Sequence, residues 1–93
     1  MVTAIVHIFV DADRIPAAAQ AIADLPDVSE VFSCAGDVDL IAVVRSVDHE
    51  RIAAIVPEHI SQVQGVQRTV THIAFRSYSS RDADDAFSIG MGS

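Results

Sequence analysis

The chain has 93 residues, one cysteine and a formal net charge of −7 at pH 7. That length sets a single domain, and a lone Cys34 excludes an intrachain disulfide or a cysteine-based metal cluster. Six arginines and no lysine stand against 13 acidic residues. This balance excludes the clustered basic face that nucleic acid or an anionic membrane requires.

No apolar run approaches the ~20 residues needed to span a bilayer. The unpaired cysteine fits a reducing compartment, and with no basic region before the first apolar stretch a signal peptide is not expected, so the expected location is the cytoplasm. Apolar residues make up 51% of the chain and mean hydropathy is +0.36. So greasy a small chain is expected to associate with copies of itself.

Val2 to Val10 is a β-branched run, apolar at both parities, and reads as a strand buried on both faces. Asp13 is a candidate N-cap for a helix with Pro16 in its first turn and Ile15, Ala18, Ala19, Ile22 and Leu25 at helical spacing. Pro26-Asp27 stops it. Val28 to Ala35 alternates as a second strand, with Val28, Phe32 and Cys34 on one side. Gly36-Asp37 is a turn signal, and Asp39 to Ser46 completes a hairpin as the third strand.

Asp48 is placed to cap a second helix carrying Ile52, Ile55, Val56, His59, Ile60 and Val63, which Pro57 should kink or split. Gly65 ends it, and Val66 to Tyr78 alternates as a fourth strand. The segment 79–93 is polar and acidic, with Phe87, Ile89 and Met91 alternating near its end; it reads as a frayed tail or a short docking strand. The domain is accordingly residues 1–78, with 79–93 as an acidic C-terminal tail.

The order predicts an α+β fold: a ferredoxin-like βαββαβ antiparallel sheet, 4-1-3-2, with two helices on one face. In the first strand the even set (Val2, Ala4, Val6, Ile8, Val10) fits the covered side. Ile5, His7 and Phe9 then point to the bare side, joined by Ile41, Val43, Val70 and His72. So apolar an open face predicts face-to-face pairing of two sheets, a dimeric α+β barrel, with these residues in the interface.

Catalytic signatures are weak. No His pair at helical spacing, HExxH, G-x-S-x-G or phosphate-binding glycine loop occurs, and Cys34 has no activating cation beside it and reads as a small core residue. Asp82, Asp84 and Asp85 lack the glycine and terminal glutamate of a calcium loop. His7 and His72, on neighbouring strands, suggest a metal or proton-transfer pair, but the simpler reading is two half-buried histidines hydrogen-bonded in an interface. No metal site, cofactor or catalytic residue is therefore expected. Two segments do suit a zwitterion: the hairpin tip around Gly36, Asp37 and Asp39, and the strand bearing Thr69 and Thr71.

The Gly-x-x-Asp-Leu hairpin, the helix beginning at Asp48 and the Gly-Val-x-x-Thr-x-Thr strand resemble the effector-binding (RAM) domain of Lrp/AsnC transcription regulators over about residues 1–78. The resemblance implies a non-enzymatic regulatory domain that pairs sheet to sheet and assembles into tetramers, octamers or larger rings. It also implies an amino-acid effector held between dimers by Gly36, Asp37, Asp39, Thr69 and Thr71. The usual N-terminal helix-turn-helix is not seen before Val2, so the expectation is a stand-alone form that binds no DNA itself and has full-length Lrp/AsnC regulators as candidate partners. The alternative is a dimeric α+β barrel enzyme, a small monooxygenase or isomerase, with His7 or His72 as base. An ACT-like regulatory subunit is disfavoured, because the first strand–helix junction, Asp11-Ala12-Asp13, lacks the expected glycine.

Overall fold

The computed structural model describes residues 1–80. Strand β1 (Val2–Val10) is followed by a 3-10 turn (Ala12–Arg14) and helix α1 (Ile15–Ala23). Strands β2 (Val28–Ser33) and β3 (Leu40–Ser46) form the hairpin. Helix α2 (His49–Glu58) and a second 3-10 turn (Ile60–Gln62) lead into strand β4 (Val66–Ala74). The sheet order is β2-β3-β1-β4 and every pairing is antiparallel, the ferredoxin-like arrangement expected from the sequence.

Both helices cover the same face. Ala18 and Ile22 of α1 and Ile52 and Ile55 of α2 join Ala4, Val6, Ile8, Val10, Leu40, Ala42 and Val44 in one buried cluster. The even parity of β1 is thus the covered one, and Ala4, Val6 and Ile8 retain no solvent exposure. Each large aliphatic side chain sealed in this layer contributes about 1.5–3 kcal/mol.

The local chemistry departs from the sequence reading in several places. Asp13 does not cap α1: its N-terminal position is taken by Arg14, with no side-chain cap. Arg14 N donates to the Asp11 carbonyl at 2.8 Å, so the chain enters the helix through a 3-10 turn that satisfies this donor from the backbone. Asp48 does cap α2, its carboxylate accepting from Arg51 N at 2.9 Å. Pro57 is accommodated near the end of α2, and His59 leaves helical geometry at φ −124°, ψ −59°. Ile60 therefore reaches the core from the 3-10 turn and not from a continuous helix.

Strand β2 is the largest revision. A bulge lies between Val28, opposite Val44, and Glu30, opposite Val43. The extra residue reverses the parity, so Val28 and Val31 share the covered side while Phe32, opposite Ile41, faces the open side and is 49% exposed. The strand also ends at Ser33, and Cys34 is half-buried with its thiol near the Phe32 carbonyl, not a core residue.

Strand β4 ends at Ala74, four residues before the expected Tyr78, because its partner β1 begins at Val2 and the last pair is Thr3 with Ala74. Phe75 and Tyr78 are exposed. From residue 81 on, the acidic segment, with its proposed docking strand and its aspartate run, lies outside the described residues.

Gly65, just before β4, has φ +96°, and a Cβ there would sit 2.6 Å from Arg14 Cβ. Its carbonyl accepts from Asp11 N at 2.9 Å. A glycine is required here by both the backbone conformation and the close approach.

Candidate functional site

The hairpin tip is built on Gly36, at φ +125° with open space around it, and exposed Asp37. Asp39 closes the tip. Its carbonyl accepts from Cys34 N at 2.9 Å, and its carboxylate reaches across to accept from Val10 N, also at 2.9 Å. This side chain therefore ties the β2–β3 loop to the last residue of β1, which pairs with Val66 of β4 just past the register shift between Phe9 and Val10. Nothing in the local sequence signals that link, since the partners lie 29 residues apart.

Thr69 and Thr71 lie opposite Ile8 and Val6, so both are on the helix-covered side of β4. Thr69 is half-buried and Thr71 exposed. Thr71 and Ile73 form one wall of a groove of about 420 Å³ whose other wall is α2, through His49, Ile52, Val56 and Pro57. The groove is nearly all apolar, with the Thr71 hydroxyl at its side. It was missed from the sequence because helical periodicity assigns Ile52 and Val56 to the core without showing that α2 stops short of the β4 edge. The groove contains none of Gly36, Asp37 or Asp39. These residues sit at the end of the sheet nearest Thr69, with β1 between the two sets.

The other candidate surface is the open face of the sheet. The register places Ile5, His7 and Phe9 of β1, Ile41 and Val43 of β3, and Val70 and His72 of β4 on that side together. Five of the seven are half-buried within one chain; Val70 and His72 are exposed. The Arg68 guanidinium carbon lies 3.8 Å from the centre of the Phe9 ring and caps one end of this surface. The His7 and His72 rings meet edge to face, 5.2 Å between centroids and 64° between planes. Neither imidazole makes a hydrogen bond among the described residues. No group of three or more His, Cys, Asp or Glu among the described residues is placed to hold a metal ion. No helix among them is long and apolar enough to cross a membrane.

This is the fold of a small ferredoxin-like α+β domain with one covered and one open sheet face. The family model for the Lrp/AsnC ligand binding domain matches residues 3–84, and the chain belongs to that family. It is 39% identical over 57 residues to an uncharacterized HTH-type transcriptional regulator of Pyrococcus furiosus. That match takes in 61% of this chain and 38% of the relative, so the chain spans well under half of the curated relatives it matches.

Among solved structures, the Thermus thermophilus protein TTHA0845 superposes with a TM-score of 0.80 at 44% identity, covering 85% of this chain and 99% of the other. A Neisseria meningitidis transcriptional regulator solved in complex with L-Met shares the fold, with a TM-score of 0.76 at 16% identity over 84% of this chain and 52% of that one.

Proposed function

We propose that the protein is a regulatory module that pairs through its open sheet face and binds a small amino-acid effector where such pairs meet. The observation that carries this reading is the open face itself. Ile5, Phe9, Ile41, Val43 and Val70 form an apolar surface that no helix or strand among the described residues covers, with only the Arg68 guanidinium over Phe9 at one end. A surface of that kind on a small soluble domain is normally an interface. The same pairing closes a dimeric α+β barrel, from which tetramers, octamers or rings can be built.

The effector role draws on the family and on the Neisseria regulator's complex with L-Met. The hairpin tip offers an unhindered glycine and the Asp37 and Asp39 carboxylates; Thr69 adds a short oxygen toward the same end of the sheet, and Thr71 another at mid-strand. Because the two sets do not line one groove within a chain, a site using both would draw them from different chains. The module acts in the cytoplasm on metabolite signals, with full-length regulators of the family as partners and no chemistry of its own.

Light scattering on the full chain, alone and with each of the twenty amino acids, tests both parts. A dimer or larger particle, with at least one amino acid shifting its mass, is the expected result. A single copy at every concentration defeats the pairing. Thr71→Ala should weaken binding of the active amino acid by about tenfold, the effect of one lost hydrogen bond.

A further inference from the structure

We propose that His7 and His72 form half of a tetrahedral divalent-cation site, which a second copy of this chain completes. The inference rests on the pairing of open faces proposed above. His7 lies opposite Val70 and His72 opposite Ile5, so the two are diagonal neighbours on one side of adjacent strands. His7 is also opposite Ile41 on the central pair of strands, while His72 lies on the edge strand β4, so the pair spans the β1–β4 side of the face.

The ring spacing fits a shared ion. With a Zn–N distance of about 2.05 Å and about 1.1 Å more to the ring centre, two imidazoles at the tetrahedral angle have centres roughly 5.1 Å apart. The observed separation is 5.2 Å. The surroundings also call for a ligand. A neutral imidazole carries one N–H and one lone pair, and neither ring has a hydrogen-bond partner among the described residues. Sealing such groups against a second apolar sheet leaves them unsatisfied, which weakens pairing unless something takes them up. A cation takes up a lone pair from each ring.

Among the described residues, one chain supplies two donors and no third group beside them. In an isologous pair the same patch meets itself, so two imidazoles become four around the two-fold axis. Four neutral nitrogen donors, with no thiolate or carboxylate, favour a borderline ion of the Zn²⁺ class over Mg²⁺ or Ca²⁺. Such an ion would pin the pair of sheets along their β1–β4 sides.

The test is Zn²⁺ titration of the chelator-stripped full chain by calorimetry, with light scattering in parallel and Co²⁺ as a spectroscopic substitute. One ion per two chains is expected, with the visible bands of tetrahedral Co²⁺ and a dimer at least about tenfold tighter with Zn²⁺ than with chelator. His7→Gln and His72→Gln should each abolish uptake, while His59→Gln on the distant helical side should not. A chain that pairs but takes up no Zn²⁺, or takes it up equally in the His7→Gln variant, overturns the site and leaves the pairing intact. A single copy that never pairs defeats the pairing and the shared site together.

Discussion

The two faces of the sheet are written in nearly the same alphabet yet end in opposite situations. On the covered side, Val6, Ile8, Leu40 and Val44 keep no exposure, because α1 and α2 close over them. On the other side Ile5, Ile41 and Val43 are only half-buried, and Phe32 and Val70 are more open still. Side-chain chemistry alone does not distinguish a core from an interface here; what lies over it does. The polar groups differ in the same way. The covered face buries Ser46, whose hydroxyl has no partner among the described residues, while the open face carries the His7–His72 pair and Arg68 over Phe9.

The sharpest way to break this contrast is to truncate matched residues on the two faces. Ile8→Ala should cost about 2–5 kcal/mol in urea denaturation, as large-to-small changes in a closed core do. If Ile41→Ala costs the isolated chain as much, the two faces are equivalent and the contrast fails. Ile41→Asp should leave circular dichroism unchanged and reduce self-association at least about 100-fold, near 3 kcal/mol, because a charge must then be buried without a partner.

Smaller effects test how the ends of the covered layer are held. Gly65→Ala should cost about 2 kcal/mol, from the unfavourable φ and the crowding against Arg14. Asp39→Ala should cost about 1–2 kcal/mol by orphaning Val10 N, and exchange at that amide should accelerate. Asp48→Ala, which removes the α2 cap, should cost about 1 kcal/mol, read as a lower melting temperature with assembly unchanged.

Much of this was legible in the linear chain. The apolar alternation of β1 and β3, the turn at Gly36-Asp37, the cap at Asp48 and the break near Pro57 are local signals, and each appears where the residues put it. The errors fall where a local signal competes with a partner far along the chain. The Ser29 region reads as plain alternation, but pairing with β3 inserts a bulge that turns Phe32 outward. The alternation after Ala74 is strand-like, yet beyond the Thr3–Ala74 pair β1 has only Val2 left.

Of the candidate site, the residue types were readable and their grouping was not. Thr71 belongs to an apolar groove against α2, and Asp39 spends one carboxylate oxygen on the end of β1.

By itself the sequence determined the order of elements, the antiparallel sheet and the parity of its central strands. Those follow from side-chain periodicity and turn chemistry, which act over a few residues. Only the tertiary structure decided where β2 changes face, that α2 leaves a groove beside Thr71, and that His7 and His72 meet without other partners among the described residues. These depend on register and on helix placement, which arise from contacts between residues far apart in the chain.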